Sequence, residues 1–156
     1  MKLAPIARVA LVLTLLGPMA ALPACAPGSA PFNPVVQSNT ATLKADTLAL
    51  LDRSGDFYAE HAAEVDALSA RIDAAAAVAS STPQNALAAR QWDVLRDPNR
   101  ALLGGTIKLW KAQNTLGLSF REEKKIQIRR AFDYILCLEA NKQRAQSCGD
   151  VQGVGA

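Results

Sequence analysis

The chain has 156 residues, 17 lysines and arginines against 14 acids, a single histidine and three cysteines, and half of its residues are apolar. That length suits one small domain with a core, and a net charge of only +3 gives no electrostatic footprint for a nucleic-acid partner. One histidine and three cysteines also leave little material for a multi-ligand metal site or a histidine-based catalytic set.

From the N-terminus, Lys2 and Arg8 give a positive start, and residues 9–22 are apolar apart from Thr14, Gly17 and Pro18. This is the layout of a secretory signal peptide. It closes on Leu22-Pro23-Ala24-Cys25, which resembles the lipobox of bacterial lipoproteins. Leu22 stands three before the cut, Ala24 just before it and Cys25 at the modified position, while Pro23 departs from the usual Ala, Ser or Thr. In that family the cysteine thiol takes a diacylglycerol and a dedicated peptidase cuts before it. The resemblance implies that residues 1–24 are a signal peptide and that Cys25 becomes a lipidated first residue holding the protein on a membrane. Family members with Asp after the cysteine stay in the inner membrane. Ala26 here implies an outer-membrane anchor facing the periplasm or exterior. Two other fates compete. Ala24-Cys25-Ala26 also reads as an A-x-A site, whose cleavage would release a secreted chain beginning at Pro27. An uncleaved anchor is disfavoured, because the apolar run is shorter than the ~20 residues that span a bilayer.

If Cys25 carries lipid, Cys137 and Cys148 remain as one pair in an oxidising compartment. A helix carrying Cys137 to about Arg144, with the chain folding back, would set Cys148 beside it. A bridge across so short a loop adds roughly 2–3 kcal/mol in the chain-entropy model. The alternative is two independent thiols, with Cys137 buried on its helix.

A cut before Cys25 leaves 132 residues and, without Lys2 and Arg8, a net charge of +1. Residues 41–79 hold seven acids and three bases, whereas residues 90–146 hold twelve bases and six acids. Such halves are expected to pack with complementary rims. The other reading sets a basic face against anionic headgroups.

Residues 25–39 contain Pro27, Pro31, Pro34 and Gly28 and read as a flexible tether. Residues 40–81 lack proline and predict one long N-terminal helix of about 60 Å, or two helices hinged near Ser54-Gly55. Its apolar stripe follows two sevenfold series: Leu51, Tyr58, Val65, Ile72, Ala79, and Thr47, Ser54, His61, Leu68, Ala75. Leu43, Leu50 and Phe57 widen the stripe at its start. Thr82-Pro83 reads as the cap and first residue of a short helix over 84–96, with Leu87, Trp92 and Leu95 apolar. Asp97-Pro98 repeats that signal for a helix reaching about Asn114. In it, Gly104-Gly105 marks a kink or a close crossing with the long helix. Ser119-Phe120-Arg121-Glu122 is a capping box opening a last helix to roughly Gln143, on which Arg129 and Arg130 can reach Asp133. Residues 149–156 read as a disordered tail. The fold expected is all-α: one long N-terminal helix packed with two or three shorter helices in a small bundle over residues 40–148.

Catalytic chemistry finds little support. His61 sits on the apolar stripe, and its acidic neighbours Asp56, Glu60 and Glu64 are not in a metal-binding spacing. No serine has a G-x-S-x-G context. No cofactor and no metal is implied. Trp92 and Trp110, with His61, are the candidate ligand or partner surface, although both tryptophans fall at apolar helical spacing and equally suit a core. The functional expectation is a membrane-anchored cell-envelope lipoprotein acting as a non-enzymatic interaction, accessory or structural protein, with a helical protein partner or a second copy bound to its heptad-like surface. The competing readings are a small-molecule or lipid-binding module with a cavity near Trp92, Gly105 and Trp110, a secreted soluble inhibitor or binder, and an enzyme using His61.

Overall fold

The computed structural model describes residues 30–142 and Cys148, and among these it is all-α. Five helices follow in order: α1 (Pro34–Asp52), α2 (Tyr58–Ser81), α3 (Ala86–Arg96), α4 (Leu103–Gln113) and α5 (Leu118–Ala140). The expected signal segment, Cys25 and the 149–156 tail lie outside the described residues.

Of the two readings of residues 40–81, one long helix or two hinged near Ser54-Gly55, the second holds: they are two helices folded back on each other. The break is the turn Arg53–Phe57. There the buried Ser54 hydroxyl donates to the Leu51 carbonyl at 2.7 Å, ending α1, and the Asp56 N–H bonds to Arg53 O at 2.9 Å. An alanine-rich stripe buries little area per residue, so an extended rod would leave it wet; folding back lets α1 and α2 cover each other. The sevenfold pattern survives the break. Leu51, Val65, Ile72, Ala79, Thr47, Ser54 and Leu68 are all buried, whereas Phe57, expected to widen the stripe, sits exposed in the turn.

The expected tether is shortened by a helix start. Asn33 caps α1, its Oδ1 accepting from the N–H groups of Val35 and Val36 at 3.0 and 3.3 Å, and Pro34 occupies the first helical position. Proline is tolerated there because its missing N–H would have had no intrahelical partner. Ala30 is buried and its N–H bonds to the Gln84 carbonyl at 3.2 Å, so residues 30–39 are fastened rather than free.

Three expected caps belong to the preceding helix or to no cap at all. Thr82 closes α2, donating its hydroxyl to Val78 O at 2.7 Å, and α3 begins after Asn85. Asp97 closes α3 and accepts from the Asn99 N–H at 2.8 Å in a turn; α4 starts only at Leu103. Gly117, in extended backbone, precedes α5, which puts Ser119 inside the helix and leaves the capping box unformed.

α1 packs on α2 and α5, and α3 closes the ring by packing on both α2 and α5, while α4 contacts α2, α3 and α5. The fourth side of the bundle is thus a broken one. α3 covers one half through Trp92, edge-on to Phe132 at 5.8 Å, and α4 covers the other through Trp110, edge-on to Tyr58 at 5.4 Å. Gly104 and Gly105 make the junction possible. A methyl at Gly104 would meet the Arg96 carbonyl oxygen at 2.1 Å, and one at Gly105 the Arg100 carbonyl oxygen at 1.9 Å. The close crossing read from the sequence exists, but with the end of α3 and its loop rather than with a long helix. The bundle has two ends. The entry end gathers Ala30, the start of α1, the α2–α3 turn and the end of α5; the far end gathers the α1–α2 turn and the α4–α5 connection.

Candidate functional site

Two places hold the residues singled out from the sequence, the tryptophan–histidine cluster and the disulfide, and a polar cluster at the end of α5 adjoins the second.

Trp110 is fully buried and Trp92 is 1 % exposed. Neither ring is available as a partner surface, and each is a core anchor; a buried tryptophan removes 150–250 Å² of mostly apolar area from water, by far the largest single payload in a small core. Trp110 also organises the far end. Its indole N–H donates to the Asp56 carbonyl at 3.1 Å. Around it, the Leu116 N–H reaches Ser54 O at 2.8 Å, the Tyr58 N–H reaches Asn114 O at 2.8 Å, and Arg121 Nη1 donates to Asp52 O at 2.8 Å. The guanidinium of Arg121 lies over Gly55, where any β-carbon would sit 2.7 Å from Nη1. The exposed carbonyls of the turn are therefore satisfied by the α4–α5 connection, sparing a helix end the cost of unpaired polar groups. Sequence reasoning missed this clamp, because Asn114 and Arg121 act on residues more than fifty positions away.

His61 stacks obliquely on Trp110, ring centres 5.7 Å apart. Its Nε2 is 3.4 Å from Asp56 Oδ2 and its Nδ1 3.7 Å from Glu64 Oε2, with the side chain largely covered. The imidazole is thus wedged between a core ring and two carboxylates. Among the described residues no group of three or more His, Cys, Asp or Glu side chains is placed to share a metal ion.

Of the three residues around which a cavity was expected, Gly105 lines a groove that neither tryptophan lines. Gly105 borders a groove of about 470 Å³ with Pro98, Thr106, Leu109, Phe120 and Lys124. A smaller groove of about 220 Å³ lies between α2 and α4, lined by Ile72, Leu103, Gly104 and Ile107 with Asp73 and Arg96 at its rim.

A buried polar cluster at the entry end has no counterpart in the sequence reading. Lys142 Nζ lies 2.8 Å from Glu139 Oε1, out of line for a hydrogen bond, so the two make a charge contact one turn apart. The same ammonium donates to Asn85 Oδ1, and Asn85 Nδ2 donates to Ala79 O at 3.2 Å. All three side chains are buried. The network sews the end of α5 to the α2–α3 turn. Beside it, Cys137 and Cys148 form a disulfide, Cα atoms 5.8 Å apart, and Cys148 packs with Ala88, Tyr134 and Leu138.

The opposite charges of the two halves meet across helices. Lys125 of α5 pairs with Asp52 of α1, Arg96 of α3 with Asp73 of α2 at 2.9 Å, and Lys44 of α1 with Asp133 of α5. Asp133, within reach of Arg129 and Arg130 on its own helix, is taken by the cross-helix lysine instead. Hydrogen bonding to Asp52 holds the Lys125 ammonium above the ordinary lysine value against a smaller opposing effect of burial, and hydrogen bonds to Asp93 and Asp73 raise Arg96 likewise. Pairs this exposed fix register more than they add stability.

No helix among the described residues is long and apolar enough to cross a membrane. No protein-family model matches the chain, and neither a curated protein nor a solved structure matches it.

Proposed function

We propose that this protein is a cell-envelope lipoprotein, anchored through a lipid on Cys25, that acts without chemistry of its own as an interaction, accessory or structural partner of another envelope protein. The observation that carries the reading is the cysteine arithmetic. With Cys137 and Cys148 bridged, Cys25 is the one cysteine left over, and it stands directly behind an apolar leader in the sequence Leu22-Pro23-Ala24-Cys25. A disulfide suits an oxidising compartment, which is where such a leader would deliver the chain. Ala26 after the cysteine favours the outer membrane by resemblance.

The non-enzymatic part rests on how the candidate side chains are occupied. His61 is packed on Trp110 between two carboxylates, and both tryptophans serve the core. What the fold offers outward is a rigid helical bundle with charged rims, suited to a helical partner or a second copy.

Intact mass of the protein isolated from its native membrane, with and without reductant, tests the anchor. A lipid-sized increment on a chain beginning at Cys25 and a two-dalton gain on reduction are expected. A lipid-free chain beginning at Pro27 would replace the anchored reading with a secreted binder or inhibitor. Crosslinking in intact envelopes tests the partner; capture of neither another protein nor a second copy would count against an interaction role.

A further inference from the structure

We infer that the entry end of the bundle rests on the lipid surface, so that the anchored domain stands with its charged far end outward. This builds on the anchoring proposed above and adds an orientation to it.

Four large apolar side chains are exposed at the entry end: Phe32 and Val35 at the start of α1, Val78 in the last turn of α2 and Leu87 in the first turn of α3, each between 41 and 64 % exposed. They share one end because α1 and α2 run antiparallel and because the Ala30 N–H is bonded to Gln84 O. Charge is nearly absent around them. Residues 30–43 carry no charged side chain and residues 74–92 only Arg90. Residues 134–142 carry only Glu139 and Lys142, which are buried against each other. The far end also exposes Phe57 and Leu118, but it differs in charge: residues 52–64 and 111–125 hold eleven charged side chains.

Among the described residues, this face of exposed Phe, Val and Leu draws no exposed carboxylate from residues 30–43, 74–92 and 134–142 and carries Arg90, with Arg71 bordering Val78; that is the chemistry of a bilayer interface. Apolar side chains enter the headgroup–acyl boundary, and a cation is drawn to anionic headgroups. The far end would have to shed the hydration of its charges to do the same. Covalent reach points the same way. Cys25 precedes Ala30 by five residues, so a lipid on its thiol lies within about 18 Å of the entry end. α2 alone, at 24 residues, is about 36 Å long. A leash half as long as the bundle delivers the entry end, and not the far end, to the bilayer.

The test uses the full chain with a reporter at each end of the bundle: V35W and L87W at the entry end, and L118W, whose leucine is as exposed as Val35, at the far end. The variants are expressed with export, isolated from membranes or medium, and mixed into phosphatidylethanolamine–phosphatidylglycerol vesicles with brominated acyl chains. Trp92 and Trp110 are buried and supply a constant background. The added emission is expected to be quenched in V35W and L87W and preserved in L118W, with helicity unchanged by circular dichroism. Protein that bears the lipid and floats with vesicles, yet shows no quenching at Val35 and Leu87 or as much at Leu118, overturns the orientation and leaves the anchor standing. Entry-end quenching in protein without a lipid increment supports the orientation and overturns the anchor. Protein that neither bears lipid nor floats overturns both.

Discussion

Gly105 gives the most direct test of the broken fourth side. A methyl added there would stand 1.9 Å from the Arg100 carbonyl oxygen. The obstacle is backbone, held in a loop in which the Arg100 N–H bonds to Asp97 O at 3.1 Å and Lys124 Nζ donates to Ala101 O at 2.8 Å. The loop must move by more than an ångström, and overpacking of this kind costs typically about 1–3 kcal/mol. Alanine's better helix propensity returns up to about 1 kcal/mol. Because the obstacle is backbone, the upper part of the first range applies, about 2–3 kcal/mol, and the net for G105A is a loss of about 1–2 kcal/mol; at roughly 3–5 °C per kcal/mol for a chain of this size, Tm falls by about 3–10 °C. Gly117 is the control. It sits in extended backbone, and a β-carbon added to it would find nothing within 4 Å, so G117A is expected within about 0.5 kcal/mol of the parent. Thermal melting of both variants by circular dichroism decides. A G105A protein as stable as the parent, or a G117A protein equally weakened, would refute the packing of α4 against the 97–102 loop.

Three further outcomes follow from the same packing. Cys137 and Cys148 are eleven residues apart, so removing the bridge in a C137S/C148S chain should cost about 2.8 kcal/mol in the chain-entropy model, read as a lower urea midpoint that the oxidised parent also shows once reduced. The buried Glu139–Lys142 contact predicts asymmetry: E139A or K142A strands a charge and should cost about 3–5 kcal/mol, while E139L/K142M should recover most of it in urea melts. Lys125 has its folded pKa above its unfolded one, so the Asp52 pair contributes fully below the ordinary lysine range and is lost as pH rises through the raised value. The deficit of K125M in melting temperature should therefore be constant across neutral pH and shrink in strong alkali; a deficit that grows there would reverse the sign assigned to the pair.

The buried faces were legible because periodicity reports them directly: seven of the ten positions of the two sevenfold series are buried, whether or not the helix carrying them is continuous, while Tyr58, His61 and Ala75 are half-buried and Ala76 buries outside both series. The disulfide was legible from count and spacing. Helix boundaries were not. A Thr or Asp before proline serves equally as the start of one helix or the stop of the previous one, since proline also follows C-caps. Thr82 and Asp97 both took the stop, because α3 and α4 were positioned by Asn85 and by the glycine crossing. The break at 53–57 was written in Ser54-Gly55, but its closure depends on Trp110, Asn114, Leu116 and Arg121, whose nearness no local pattern announces. For the tryptophans, apolar spacing pointed to the core and residue type to a surface; the spacing was the better guide.

The first helix packs against the last, and the turn after the first helix is held by residues that follow it by fifty positions and more. Loop closures of that length must precede the contacts that reward them, so the ring cannot shut on a partial chain. A polypeptide emerging N-terminus first would leave the face of α1 that meets α5 uncovered until α5 arrived. This topology is a built-in delay: the chain stays open along its length and locks only when its last helix is free.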